Sequence, residues 1–319
     1  YQHDLTPVRT LITAGTVAGT SATNPEQSRG ARRFAREAAA AAAPIGARTT
    51  SLPSPVGDVY VQDAFEPTLA TRPLPGGRVQ SIRLLVRRTD LVRPNAPAAL
   101  GGISLELFNR LRGPGVGVVS TPVSRGAGAA QRLGDNAGGN WSVVPPYRTA
   151  TASYPLGRII YGGRPDARLR AIAQAQGLQA PFSVDVGWAG VGHLDEMITF
   201  LPARNARGWI VGIADPQAGL ALVRDAVSRG QGDGTVLTGI TRSDGGGPAV
   251  SVAERLTDLL ADPDVLKGTA DAQRVIDSQV DVLRRELELR DDEIVRLPIL
   301  VRSPAGSGGA EQGSSSGEA

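Results

Sequence analysis

The chain has 319 residues, 41% of them apolar, which is enough for one large domain or two small ones. Its net charge is only +3 with acids interspersed among the arginines, and no basic block with interleaved aromatics of the kind that binds nucleic acid is present. The absence of cysteine excludes disulfides, thiolate metal sites and a cysteine nucleophile on this chain. No apolar run approaches ~18 residues, so we expect no membrane partner but a soluble protein, either cytoplasmic or secreted.

Strand and helix patterns alternate along the chain. In order, they predict a strand at 8–17, a helix at 24–44, strands at 56–67 and 79–88, a helix at 100–115, a strand at 156–163, a helix at 165–178, strands at 180–188 and 206–216, a helix at 216–232, a strand at 234–240, helices at 248–261 and 268–290, and a strand at 293–301. This alternation is typical of an α/β architecture. Segments 115–140 and 241–248 are predicted to be glycine-rich loops, and the low-complexity segment 303–319 a disordered tail.

The stretch WAGVGHLDEMITFLP, residues 188–202, places His193, Asp195 and Glu196 in an apolar run. In a strand, residues two apart share a face, so His193 and Asp195 would point the same way and Glu196 the other way. An imidazole beside a carboxylate is a general acid/base unit. Because His-x-Asp is a short pattern with many chance matches, a solvated turn or an ion-paired core histidine is the alternative.

The stretch YVQDAFE, residues 60–66, places Gln62, Asp63 and Glu66 among apolar residues. Carboxylates from two distant segments, Asp63 and Asp195, would suit a planar guanidinium, which offers five donors in a rigid fork. A polar strand edge is the alternative interpretation of this stretch.

The stretch GDNAGGNWSVVPP, residues 134–146, has the glycines and asparagines that let backbone carbonyls wrap around a hard cation. A flexible turn explains the same residues. The stretches GGRPD and SDGGGP lack the spacing and the lysine of a phosphate-binding loop, so we interpret both as turns.

Seven segments resemble, in the same order, the catalytic domain of protein-arginine deiminases. They are QDAFE, GPGVGVV, GGNWSVVPP, YPLGRIIYGG, APFSVDVGWAGVGHLDEMITFLPA, SRGQGDGTVLTGI and LRRELELRDDEIVRLPILV, within residues 56–301. Seven collinear matches are far more specific than any one of them, so the resemblance favours the functional interpretation of His193 and Asp195.

The resemblance implies a five-bladed α/β propeller, the pentein fold of guanidino-group-modifying enzymes, over residues 1–302 and incomplete at its C-terminal end. It implies hydrolysis of peptidyl-arginine to peptidyl-citrulline and ammonia, in which a cysteine attacks the guanidinium carbon. The partners would be arginine-containing peptides or proteins. A compact bacterial type is expected, because the N-terminal β domains of the animal enzymes have no counterpart here.

By position, the resemblance assigns Asp63 and Asp195 to the guanidinium and His193 to proton transfer. Tyr60 stands where the family has a tryptophan beside the aliphatic stem of the substrate arginine. The arginine that would bind the substrate backbone is left open among Arg87, Arg88 and Arg93.

The resemblance also assigns Gln62 and Glu66 to a calcium site. Ser142 stands where the family has a glutamate, and Ala64 replaces an acid beside the guanidinium aspartate. Calcium takes 6–8 oxygen ligands, so the loss of a carboxylate is expected to weaken or remove the site. No organic cofactor is expected.

The nucleophilic cysteine of the family lies beyond the last matched strand, and this chain has none. The isolated chain is therefore expected to be inactive, with the thiol supplied by a longer parent or by a C-terminal fragment that completes the fold. The alternatives are a non-catalytic protein that binds arginine peptides, an inactive fragment, and a hydrolase of small guanidino compounds such as arginine or agmatine.

Overall fold

The computed structural model describes residues 1–16, 25–54, 60–87, 105–121, 124, 126, 133–242 and 250–303. The helices are α1 (Pro25–Ala42), α2 (Val61–Ala64), α3 (Ala167–Ala175), α4 (Pro216–Ser228), α5 (Leu256–Ala261) and α6 (Pro263–Leu287). The strands are β1 (Thr10–Thr16), β2 (Arg48–Ser54), β3 (Phe65–Pro73), β4 (Val79–Arg87), β5 (Val116–Ser120), β6 (Trp141–Val144), β7 (Tyr147–Arg148), β8 (Ser153–Tyr154), β9 (Arg158–Gly162), β10 (Phe182–Val184), β11 (Ile198–Pro202), β12 (Trp209–Asp215), β13 (Thr235–Val236), β14 (Thr241–Arg242), β15 (Val250–Ser251), β16 (Glu254–Arg255) and β17 (Ile294–Pro298).

Three sheets repeat one arrangement of strands. The first sheet is β3-β4-β5, the second is β6-β9-β10 and the third is β11-β12-β17. In each, two strands pair antiparallel, and the middle strand also pairs in parallel with a third strand that follows a helical segment. A parallel neighbour needs a crossover connection, and the helix provides it.

Strands β1 and β2 form a fourth unit, in which they pair in parallel and α1 is the crossover. Here β1 takes the place of the middle strand, and within the described residues its outer edge pairs with no other strand. The prediction of an α/β architecture is confirmed by these four units. The described part of the chain contains no closed sheet, and segment 303–319 lies outside it apart from its first residue.

Helices α4 and α6 each begin directly after an aspartate that caps the first turn. Asp215 accepts a hydrogen bond from the Ala218 amide at 2.8 Å, and Asp262 accepts one from the Asp264 amide at 2.8 Å. Each cap is followed directly by a proline, whose fixed φ and missing N–H suit the first helical position. Helix α6 starts at Pro263, earlier than the predicted boundary at 268, because this cap lies before it.

The strand predicted over 56–67 is wrong at residues 61–64, although residues 65–67 do lie in a strand. Residues Val61–Ala64 form a helical turn, and the strand begins at Phe65. A helical spacing of three places Val61 and Ala64 on one side, where both pack into an apolar cluster with Leu52 and Leu85. Burial of that pair favours the turn over continued extension.

Other predictions fail at short elements. The described part of the helix predicted over 100–115 ends at Leu111, and β5 lies inside the predicted loop 115–140. The helix predicted over 248–261 is helical only from Leu256, and the strand predicted over 234–240 is reduced to β13. The sequence patterns predict no strand at the positions of β2, β6 and β11. These strands are four to seven residues long and depend on pairing with distant strands.

Apolar clusters join the units to one another. The largest joins the second and third sheets to α6, and its members include Ile160, Phe200, Val211, Ile276 and Leu283. A second cluster joins the β1–β2 unit to the first sheet, and a third joins the first and second sheets. The loops between these sheets are therefore anchored on both sides by buried apolar residues.

A buried ion pair fixes the end of α6 to the third sheet. The Arg207 guanidinium donates to the Glu293 carboxylate at 3.1 Å and to the Glu288 carbonyl at 2.9 Å, and it lies over the Trp209 ring. Burial opposes ionisation of Glu293, but these hydrogen bonds and one from the Arg290 amide hold the pKa of its carboxyl below the usual range.

Among the described residues, no helix is both long enough and apolar enough to cross a membrane.

We predict that Arg207→Met is far more destabilising than Arg290→Met, although both arginines contact Glu293. The side chain of Arg207 is 10% exposed and that of Arg290 57%, so only the first loss leaves a buried carboxylate without adequate compensation. We expect Arg207→Met to lower the free energy of unfolding by about 3 kcal/mol. Urea unfolding of both variants measures the difference, and equal losses would contradict the prediction.

Candidate active site

The charged residues of WAGVGHLDEMITFLP lie on a tight turn, not on a strand. Residues Leu194–Glu196 form a single 3₁₀ turn that His193 precedes, and β11 begins only at Ile198. Leu194 and Met197 are 1% and 2% exposed and belong to the largest core cluster. These two apolar residues anchor the turn, so the polar side chains between them are presented on the other side.

Helix α2 presents Asp63 in the same way. Its single turn is closed by the Asp63 amide, which donates to the Tyr60 carbonyl at 3.2 Å. Ala64 is 3% exposed and faces the core, whereas the Asp63 side chain remains 20% exposed. The turn therefore directs the carboxylate away from the core cluster that holds the helix.

Segment 133–140 forms the third wall of the site. It consists of two 3₁₀ turns, Leu133–Asn136 and Gly138–Asn140, followed directly by β6. The Asn140 side chain is fully buried, and its amide donates to the carbonyls of Asp135 at 3.0 Å and Gly162 at 2.8 Å. These bonds tie the segment to the end of β9.

Asp63, His193 and Asp195 converge on Gly139. A β-carbon at Gly139 would lie 2.7 Å from Asp195 Oδ2, 2.8 Å from His193 Nδ1 and 3.1 Å from Asp63 Oδ1. The Gly139 amide donates to Asp63 Oδ1 at 3.3 Å, and His193 Nδ1 lies 3.7 Å from the same oxygen. The structure thus brings these three predicted site residues together, although their shared role stays a prediction, and the extended segment expected to carry two of them is a 3₁₀ turn instead.

At this position, His193 keeps one ring nitrogen without a hydrogen bond to any described residue. The residue is 7% exposed, and within the described residues its buried Nε2 atom has no hydrogen-bond partner. Nδ1 lies near Asp63, at a distance longer than a hydrogen bond. An imidazole nitrogen accepts a hydrogen bond when it is deprotonated and donates one when it is protonated.

The carboxylates of the site repel one another. Loss of hydration raises the pKa of the Asp195 carboxyl, the negative charges of Asp63 and Glu196 raise it further, and His193 opposes them. A cation placed between Asp63 and Asp195 would remove this repulsion. The site therefore favours a positively charged group.

Glu66 and Gln62 lie on the other side of the same segment. A β-carbon at Gly138 would lie 1.9 Å from the Gln62 carbonyl oxygen and 2.9 Å from Glu66 Oε1, so both oxygens approach this glycine. Burial raises the pKa of the Glu66 carboxyl well above its usual range, and the negative charge of Asp4 adds to this. Asp4 in turn forms a hydrogen bond with Ser142.

This arrangement fits a calcium ion only in part. Glu66 offers its carboxylate and Gln62 its backbone carbonyl, and calcium prefers oxygen ligands of both kinds. Within the part of the chain that the structure describes, no three His, Asp or Glu side chains gather as a metal-binding set. The full set of 6–8 oxygens would need further carbonyls or water.

Two exposed apolar side chains flank the site. Tyr60, which precedes α2, is 67% exposed, and Val191, two residues before His193, is 57% exposed. Val191 carries no sequence prediction, and the exposure of an apolar side chain two residues before His193 is what marks it. Arg87 ends β4 and donates to Ser120 Oγ at 3.3 Å, whereas Arg88 and Arg93 lie outside the described residues.

Comparison with known proteins places these residues in context. The sequence model of the family described as protein-arginine deiminase matches residues 8–316. Protein-arginine deiminase type-1 of Mus musculus is 33% identical over 201 residues, type-4 of Rattus norvegicus is 31% identical over 209, and type-3 of Homo sapiens is 30% identical over 205.

These alignments cover 60%, 63% and 61% of this chain, but only 28%, 29% and 29% of the respective relatives. The chain thus spans less than a third of the length of the curated relatives it matches.

We predict that Glu66→Gln raises the thermal stability of the protein at pH 7. A carboxyl whose pKa is raised by folding contributes stability that is present below its usual pKa of 4.5 and is lost as pH rises through the folded-state pKa. Glutamine cannot ionise, so the variant should keep this stability at neutral pH, and the two melting temperatures should converge below about pH 4. Each kcal/mol corresponds to about 2–4 °C in a domain of 150–250 residues.

The control for this measurement is Glu37→Gln, because Glu37 has a side chain 63% exposed on α1. Its melting curve should stay close to that of the wild type at every pH. A Glu66→Gln protein that melts below the wild type at pH 7 would contradict the prediction.

Proposed function

The chain belongs to the protein-arginine deiminase family, and we propose that it forms the arginine-binding part of such an enzyme, acting on arginine within polypeptides. The observation that carries this proposal is the convergence of Asp63, His193 and Asp195 on Gly139. Two carboxylates around a space kept open by a glycine suit the planar guanidinium, which donates in two directions at once.

In this proposal Asp63 and Asp195 hold opposite edges of the guanidinium. Its positive charge offsets their mutual repulsion, which binding of citrulline, a neutral product, would not do. His193 lies beside both, with one unbonded ring nitrogen to carry a proton to the departing ammonia. Tyr60 provides an exposed ring against which the aliphatic stem of the arginine can pack.

The chemical step needs a nucleophile that this chain does not contain. In the reaction implied by the family, a thiolate attacks the guanidinium carbon, ammonia leaves, and water then releases citrulline. The chain has no cysteine, so we propose that the thiol comes from a further polypeptide segment and that the chain alone is inactive.

We further propose that this segment completes a five-bladed α/β propeller. The support is the strand order: three units have an antiparallel strand beside the middle strand, whereas β1 within the described residues has only β2. An additional antiparallel strand on the outer edge of β1 would give the fourth unit the same composition as the others, and the fifth unit of the proposed propeller would also have to come from outside these four.

A weak calcium site at Gln62 and Glu66 also belongs to this proposal. The enclosed Glu66 carboxylate and the Gln62 carbonyl support it, and bound calcium would neutralise Glu66 beside the guanidinium site. Millimolar calcium should then raise the melting temperature of the wild type and leave that of Glu66→Gln unchanged.

A second candidate function is arginine-peptide binding without catalysis. The complete absence of cysteine is the observation that favours it, because the guanidinium site remains while the nucleophile does not. Both functions need the same binding site and differ only in whether a thiol is supplied from elsewhere.

We predict that the 319-residue chain binds benzoyl-arginine amide and does not bind the corresponding citrulline compound. Two charge-assisted contacts correspond to a Kd on the order of 1 mM, or about −4 kcal/mol. Asp63→Asn and Asp195→Asn should each weaken binding at least about tenfold, because a charged hydrogen-bond partner is lost. Gly139→Ala should abolish it, because the added methyl occupies the space between the carboxylates.

The matched controls are Asp233→Asn and Gly190→Ala. The Asp233 side chain is 98% exposed, and a β-carbon at Gly190 would meet nothing within 4 Å. Both controls should bind as the wild type does in isothermal titration calorimetry. Absence of heat from the wild type at millimolar ligand would rule out the proposed binding site.

We predict that the isolated chain forms no citrulline from arginine peptides at any calcium concentration. The physical reason is that the covalent step needs a thiolate, and none is present. A colorimetric citrulline assay measures this, with Asp195→Asn as a background control. Citrulline production above that background by the isolated wild-type chain would show that the reaction follows another course.

A further inference from the structure

We propose that Glu196 is a positioning residue for His193 and also adds its charge to the guanidinium site. This inference rests on the proposed arginine-binding function and concerns a residue to which the resemblance assigns no role. Glu196 lies one residue beyond Asp195, at the end of the 3₁₀ turn that His193 begins.

The first observation is a hydrogen bond across this turn. The Glu196 carboxylate folds back and accepts a hydrogen bond from the His193 backbone amide, with Oε1 2.9 Å from the nitrogen. Such a bond closes the turn at its start, where a backbone N–H has no partner within the turn itself. It therefore fixes the backbone from which the imidazole projects.

The second observation is that the imidazole has few bonds of its own. Its Nε2 atom is buried without a partner among the described residues, and Nδ1 lies 3.7 Å from the Asp63 carboxylate, too far for a hydrogen bond. The ring is placed by packing against Gly134 and by a capping box, in which it faces the Glu196 backbone amide while the Glu196 carboxylate accepts from the His193 amide. This reciprocal contact with Glu196 is thus the direct polar restraint on His193.

The third observation concerns the charge of Glu196. Within the described ranges no basic side chain forms an ion pair with it, although the surface of the chain carries many such pairs. A glutamine would accept the same hydrogen bond without repelling Asp195. The negative charge is an electrostatic cost to the free protein, and it becomes favourable when a cation lies between Asp63 and Asp195.

Two substitutions separate these roles. Glu196→Gln keeps a hydrogen-bond acceptor and removes the charge, whereas Glu196→Ala removes both. Glu37→Ala, on the exposed face of α1, is the control for the loss of a surface glutamate.

The first measurement is the NMR spectrum of the imidazoles in the full chain. The chain has two histidines, so a His3→Gln variant assigns the ring signals of His193. We expect Glu196→Ala to shift these signals and the His193 amide signal, and Glu196→Gln to leave the ring signals in place. Unchanged His193 signals in Glu196→Ala, or ring signals displaced equally in both variants, would overturn the positioning role.

The second measurement is calorimetric binding of benzoyl-arginine amide. We expect Glu196→Ala to bind about tenfold more weakly, because the imidazole is displaced and the charge is lost. Glu196→Gln should bind about two- to threefold more weakly, with a difference from wild type that disappears at high salt, as expected of an exposed charge. Wild-type affinity in Glu196→Gln at low salt would overturn the charge role.

Failure of the underlying function gives a different pattern. If the wild type does not bind the ligand, the binding proposal and the charge role both fail, while the His193 signals still decide the positioning role. If Glu196→Ala does not fold, the ring signals of Glu196→Gln decide it, because their displacement would contradict a role that glutamine can fulfil.

Discussion

The candidate site depends on the absence of a side chain at Gly139. The backbone of this residue has no unusual dihedral angle, so the requirement is one of space and not of conformation. Any β-carbon there would lie within about 3 Å of Asp63, His193 and Asp195, closer than such contacts allow. Because three segments from separate parts of the chain meet at this point, each must be held by its own packing, through Ala64, Leu194 and the buried Asn140.

The site is electrostatically unfavourable when it holds no cation. Carboxylates crowd together, and both burial and mutual repulsion raise the pKa values of Asp195 and Glu66. The surrounding structure offsets this cost with its apolar clusters. Carboxylates held together in this way make the binding of a positive group electrostatically favourable.

Elements with strong local signals could be predicted from the sequence, whereas several short ones could not. Helices α4 and α6 carry an Asp–Pro start and many apolar residues at helical spacing, so their local signals agree. The strands β6 and β11 are four and five residues long, and their identity depends on pairing with β9 and β12. The turn at Leu194–Glu196 could not be predicted from residue alternation either. Core packing of Leu194 and Met197, and not the local pattern, determines its conformation.

The sequence by itself determined the α/β class and the family resemblance, and it predicted Asp63, His193 and Asp195 as site residues, since residue types and collinear motifs are local properties. It also determined that the chain has no thiol. Only the tertiary structure decided that these three side chains meet at Gly139, that Glu196 bonds to the His193 amide, and that Glu66 is enclosed. The physical reason is that distances between segments far apart in sequence are set by the packing of the sheets between them, which no local pattern encodes.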